Sequence, residues 1–210
     1  MMTFTGFTAE DFDVFTIDGL EPRMEALIER VRPKLHELGS ALSPALTTLC
    51  GEEMFTHVAK HARRTVHAPN DTWVAWANNK KGYKAHPHFQ VGLWSTHLFV
   101  QFALIYESPN KSIFAANLEQ QWDEVASSLP PHYVWSLDHM KPEGIPHTEL
   151  QGETLEQLLL KLKTIKKSEA LCGIHLNRHD PIVQDGPRLL AEIERVFETV
   201  MPLYRLAQQN

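Results

Sequence analysis

The chain has 210 residues, of which 43% are apolar and 22% charged, and its formal net charge is −6. That length and composition suit a globular protein with a full hydrophobic core, and the acidic balance argues against general affinity for DNA, RNA or an anionic membrane. Cys50 and Cys172 stand without a CxxC partner, which excludes a zinc knuckle or disulfide framework and fits a reducing cytoplasm.

The opening MMTFTGFTAEDFD has neither a cationic start nor a long apolar stretch, so no signal peptide is expected. Apolar runs such as Leu98 to Tyr106, broken by Gln101, are too short to cross a bilayer. Thr8 and Asp11 predict the capped start of a short helix with Phe12 and Phe15 on its apolar side, ending at Gly19. From Pro22, Met24, Leu27, Ile28, Val31, Leu35 and Leu38 recur at helical spacing, with a kink expected at Pro33 and an end at Gly39-Ser40. Ser43-Pro44 reads as the start of another helix. Phe55, Val58, Ala59, Ala62 and Val66 then predict a helix with His57, Lys60, His61 and Arg64 clustered on the face opposite.

Alternation predicts strands over Thr72–Ala77, His88–Trp94 and Leu98–Tyr106, joined by polar loops, and the last two form a hairpin. Ser112 caps a helix that runs to Pro130-Pro131, and a short strand follows over Tyr133–Leu137. Lys141 to Gly152 reads as a loop, and Thr154 with Gln157 as a capping box before a leucine-rich helix. Ala170–Leu176 is a strand, Asn177 to Gly186 a loop, and Leu189–Leu206 an amphipathic helix. PRMEALIERV (Pro22–Val31) resembles PRLLAEIERV (Pro187–Val196), over a span too short to establish a duplication. Helices mixed with adjacent strand pairs predict one α+β domain over 1–210, an antiparallel sheet of about five strands packed by helices.

Charge is distributed unevenly. Between His57 and His88 stand six Lys and Arg, five His and one acid, Asp71, for a formal +5; the remaining fourteen basic and twenty-five acidic residues give −11. A cationic island in an acidic chain points to an anionic ligand. Helices with solvated polar faces usually intersperse Glu with Lys, and this stretch does not.

At HVAKHARRTV (57–66), DTWVAW (71–76), GYKAHPHFQVGLW (82–94) and ESPNK (107–111) the chain resembles the YktB-like family of uncharacterised bacterial proteins. DFDVF, GLEPRM and Asp138-His139 match as well, so the resemblance covers nearly the whole length. It implies a soluble, cytoplasmic α+β protein and transfers no catalytic residue.

The site expected from the residues themselves is a pocket for a small ligand bearing a phosphate or carboxylate. Arg63 or Arg64 would grip the oxyanion, with Lys60 and Lys84 as point charges and Trp94 or a neighbouring aromatic residue as a stacking surface. His57, His61 and His88 would transfer protons or donate hydrogen bonds, and Asp138 would orient such a His. Core packing competes with ligand stacking as the role of any one Trp. A metal site is disfavoured because the cations around His57, His61, His86 and His88 repel a divalent ion, so no metal ligand is assigned. An interaction module for an acidic segment or a nucleic-acid strand is the non-enzymatic alternative. The sequence names no cofactor and leaves both catalysis and oligomeric state open.

Overall fold

The computed structural model describes residues 4–208. Residues 1–3, where the stretch read against a signal peptide begins, lie outside them. Helix α1 (Ala9–Asp13) opens where Thr8 N donates to Asp11 Oδ2 at 2.7 Å, and it passes into a 3-10 turn over Val14–Thr16. Helix α2 (Leu20–Ala26) continues through one π turn, Leu27–Val31, into α3 (Arg32–Cys50). Pro33 sits in the first turn of α3, and the widened turn before it absorbs the missing donor.

Neither Gly39-Ser40 nor Ser43-Pro44 divides this helix. Gly39 serves close packing instead: a Cβ there would meet Thr56 Cγ2 at 2.4 Å and Val74 Cγ2 at 3.3 Å. Its carbonyl accepts from the Trp76 indole N–H at 3.1 Å, which pins the helix to the sheet.

The helix expected over 55–66 is absent. Strand β1 (Phe55–Val58) forms there and pairs antiparallel with β2 (Asp71–Ala77), placing His57 opposite Ala75. Residues 59–70 are an irregular loop. A helix would have stacked like charges at i,i+3 and i,i+4 with no acid between them, whereas the strand gains a ladder of backbone hydrogen bonds. Val66, expected on the apolar face, is 72% exposed. His57, Lys60, His61 and Arg64 therefore share no helical face.

Strands β3 (His88–Trp94) and β4 (His97–Leu104) form the expected hairpin. The single helix expected after Ser112 is two, α4 (Lys111–Gln120) and α5 (Trp122–Ser128). Then come β5 (Val134–Ser136), β6 (Ile145–Pro146), α6 (Gly152–Thr164), β7 (Ala170–Asn177), α7 (Pro181–Gln184) and α8 (Gly186–Leu206). Strand β6 and a 3-10 turn at His147–Glu149 occupy the stretch read as a loop, and α7, capped by Asp180, occupies part of the next one. A strand of two residues ending in proline is tolerated because it lies at the sheet edge.

The seven strands form one antiparallel sheet in the order β1-β2-β3-β4-β7-β5-β6, two more than expected, in an α+β fold. Pro22–Val31 includes the π turn while Pro187–Val196 is regular helix, so the two similar segments have different backbones. On one face of the sheet Trp76, Phe89, Val91, Val100 and Phe102 are fully buried with residues of α3 and α8. Phe197 meets Trp76 edge-on at 5.7 Å, and Tyr204 stacks on Phe89 at 5.1 Å. Each such ring contributes roughly 2–3 kcal/mol of burial, and this face anchors the fold.

Helix α3 owes its position to the small surface at Gly39. Gly39→Ala is expected to destabilise the protein by about 1–3 kcal/mol in urea unfolding, and Thr56→Ser in the same chain to restore most of that loss. Equal stabilities of the single and double variants would show that Thr56 is not the obstacle.

Candidate functional site

The other face of the sheet has a different chemistry. Trp73, His88, Gln90, Trp94, Phe99, Gln101 and His175 alternate with the core residues along four neighbouring strands. Gly92 makes room among them, since a Cβ there would meet Phe99 Cζ at 2.4 Å and Thr72 O at 2.5 Å. Loops lie over parts of this face. His61, in the left-handed region at φ 51, sets its ring edge-on to Trp73 at 5.4 Å, and its Nε2 lies 3.2 Å from Thr72 Oγ1. Tyr83 accepts from the Trp73 indole N–H at 2.9 Å and packs edge-on against His88 at 4.9 Å.

Between the loops remains a cleft lined by Asp71, Trp73, Gln90, Trp94, Phe99, Gln101, Ser136, His139, Lys141 and His175. Its volume is about 370 Å³, part of it open to solvent. Aromatic rings share its lining with acid, amide and imidazole groups, which suits a small ligand with an apolar face and polar edges.

His139 is the most organised side chain in it. Its Nδ1 donates to the Glu169 carboxylate at 2.8 Å, and Glu169 also accepts from the backbone N–H of His139 (2.8 Å) and of Tyr106 (3.1 Å). Glu169 is buried, and Lys111 fixes the turn before it by donating to the carbonyls of Ile165, Lys166 and Ser168. Nε2 of His139 makes no hydrogen bond among the described residues. Asp71 shares the cleft, buried, and among the described residues its carboxylate has only its own backbone N–H as a hydrogen-bond partner.

The family model described as a domain of unknown function (DUF1054) matches residues 7–204. The chain belongs to this family. It is 51% identical to a UPF0637 protein of Bacillus velezensis and 50% identical to one of Bacillus licheniformis, each over 208 residues and 99% of both chains. A UPF0637 protein of Oceanobacillus iheyensis is 48% identical over 202 residues and 96% of both chains. These full-length matches agree with the YktB-like resemblance.

In this DUF1054 chain the residues singled out from the sequence are dispersed around the cleft. Trp94 lines it, and Asp138 stands at the base of its loop, accepting from Met140 N at 2.9 Å and facing Lys141 Nζ at 3.6 Å. His88 is buried beneath it; His57 lies to one side, with Nε2 2.9 Å from Asn79 O. Arg64 donates to the carbonyls of His67 and Ala68 (3.3 and 3.5 Å), while its charge reaches Asp71. Lys84 pairs with Glu107 at 3.4 Å, and Lys60 and Arg63 point to solvent. Glu169 orients His139, the role expected of Asp138. Asp71, Gln90, Gln101, His139, Glu169 and His175 were not foreseen, although Gln101 breaking an apolar strand is a legible sign of a buried polar contact.

Electrostatics sharpen the pairing in the DUF1054 cleft. Burial pushes the Asp71 carboxyl up to about 6, against the charges of His139 and Arg64. Burial opposes a charged His139, but the hydrogen bond and charge of Glu169, with Asp71 and Asp138, outweigh it and raise its pKa. Burial lowers His61 to about 4, aided by Arg64 and Arg32, and takes His175 and His97 to about 3 and about 4. Asp138, His139 and Glu169 offer ligand atoms within 4.8 Å of one another. A cation there would have to displace the Nδ1 proton from Glu169, and Lys141 beside Asp138 repels it, so the cluster is better suited to a proton.

Asp71 holds its proton more tightly folded than unfolded, so ionising it costs stability as pH rises from about 4 through 6. Asp71→Asn should therefore stabilise the protein by on the order of 2–3 kcal/mol at pH 8, an advantage that disappears below about pH 4. The lowered histidines act in the opposite sense: unfolded chains bind their protons first, so wild-type stability is lost as pH falls from 6.5 toward 4. Urea titrations from pH 4 to 8 read both trends; an Asn variant no more stable at pH 8 would contradict the first.

Proposed function

We propose that the cleft binds a small polar ligand and that His139, oriented by Glu169, exchanges a proton with it opposite Asp71. The observation that carries this reading is the imidazole geometry: Nδ1 is bonded to a buried carboxylate, and Nε2 is left unbonded on a ring that lines the cleft. A carboxylate so placed fixes the ring tautomer and favours the imidazolium that proton uptake creates. Burial brings Asp71 to about 6, nearer neutrality than a free carboxyl, while Glu169 raises His139 above the ordinary imidazole value.

An anionic group on the ligand, the chemistry expected from the basic stretch, belongs at the rim in this reading. The ionised Asp71 keeps it out of the cleft, while Lys141 and Arg64 stand nearby. Lys60 and Arg63, exposed and without an acidic partner among the described residues, supply a second reading, a surface for an acidic segment.

Thermal-shift and NMR screens against organic acids, sugar phosphates, nucleotides and small amides separate the two. A ligand at 100 times its dissociation constant adds about 2.7 kcal/mol of stability. For a cleft ligand, Asp71→Asn and His139→Gln should weaken the response at least about tenfold, and Lys60→Ala with Arg63→Ala should leave it unchanged. The reverse pattern would transfer binding to the loop surface. If turnover is found, its rate should rise through about pH 6 with Asp71 ionisation, and the Asn variant should lose that limb.

A further inference from the structure

The polar row across β3 and β4 has a direction. Nδ1 of His88 lies 2.7 Å from His86 O, and because a carbonyl only accepts, Nδ1 carries the proton. Burial holds His88 neutral, its pKa lowered to about 3, which leaves Nε2 as an acceptor. Gln90 Nε2 donates to it at 3.0 Å, and that contact sets which end of the Gln90 amide is oxygen. Gln90 Oε1 in turn accepts from Gln101 Nε2 at 3.1 Å across the strand pair, where the two residues stand opposite each other. One backbone carbonyl thus orients two amides in series. The series ends at Gln101 Oε1, an acceptor with no partner among the described residues, on a side chain only 9% exposed that lines the cleft.

An acceptor held in one orientation by such a relay and open to the cleft is a preformed site for a donor. Trp73, Trp94 and Phe99 give the cleft aromatic surfaces on which a flat group can stack, and Asp71 adds a second acceptor to it. His139 Nε2 supplies a donor when the ring is protonated. A lining of aromatic surfaces with both a donor and acceptors matches the chemistry of an amide, which is flat and offers one of each.

We infer that Gln101 Oε1 reads the ligand, and that the cleft takes a small flat amide (a carboxamide, lactam or ureide) whose N–H donates to it. This rests on the cleft being a ligand site, and the identity of the amide-bearing ligand is the added claim. Gln101 is a specificity-determining residue in this account; Gln90 and His88 are positioning residues behind it.

Three measurements on the full chain test it. Ring ¹⁵N shifts of His88 should show the Nδ1–H tautomer; an Nε2–H tautomer overturns the relay before any ligand is added. Benzamide and uracil are then titrated beside N,N-dimethylbenzamide and 1,3-dimethyluracil, following the Trp indole and Gln side-chain amide resonances. The N–H member of each pair should bind at least about tenfold more tightly, and Gln101→Leu, or Gln101→Met if the Leu variant fails to fold, should bring that ratio close to one. Equal binding of both members to the wild type overturns the amide assignment and leaves the cleft reading intact. So does a cleft response confined to organic acids or sugar phosphates. No response in the cleft to any compound overturns both.

Discussion

A polar group removed from water has to find a partner, and that constraint shapes the half of this molecule that is not apolar core. The helix-packed face of the sheet is settled by apolar burial, with Phe89 between Phe197 and Tyr204. On the other face His88, Gln90, Gln101 and Asp71 are buried as well, and each needs an answer. Three of the four answer one another through the relay from His86 O to Gln101. Asp71 does not join it, and the strand pairing that brings it beside Trp94 leaves its carboxylate in the cleft. The relay and an acid held only by its own backbone N–H among the described residues arise from one architecture, a sheet face with loops over it in place of a helix.

Much of the fold was legible because apolar alternation and turn residues are local signals. Strands β2, β3 and β7 fall where Thr72–Ala77, His88–Trp94 and Ala170–Leu176 placed them. The reading failed where a local signal had a tertiary cause. Gly39 was read as a helix end, but its missing side chain admits Thr56, and nothing near it in sequence shows that contact. Phe55, Val58, Ala59 and Ala62 fit helical spacing, yet pairing with β2 outweighs it. The absence of acids in that stretch was the better guide to its structure. The site was less legible still. His139 and Glu169 are thirty residues apart in sequence, and their union depends on the turn held by Lys111.

The basic stretch also has a structural use that its net charge does not reveal. Arg64 donates to the carbonyls of His67 and Ala68, and from outside the stretch Arg32 donates to Lys60 O and Arg23 to Pro69 O. Guanidinium groups carry five donors and no acceptor, so they satisfy carbonyls that an irregular loop leaves without a ladder. These contacts brace the loop over 59–70, which sets His61 against Trp73.

Bracing by carbonyls also explains the state of Asp71. The arginine nearest to it in effect, Arg64, makes its hydrogen bonds to backbone, so its charge reaches the acid only through space. A salt bridge would have held the Asp71 carboxyl low and made it inert near neutrality. Without one, burial dominates and the group titrates at about 6, at a cost in stability that an asparagine would avoid. A fold optimised for stability alone would have no reason to retain an acid there. The same fold supports the His139 imidazole with a carboxylate that accepts three N–H groups, so it is able to satisfy buried charge elsewhere. The contrast between Glu169, which accepts three N–H groups, and Asp71, which among the described residues has only its own backbone N–H, is the physical argument behind the proposed ligand site.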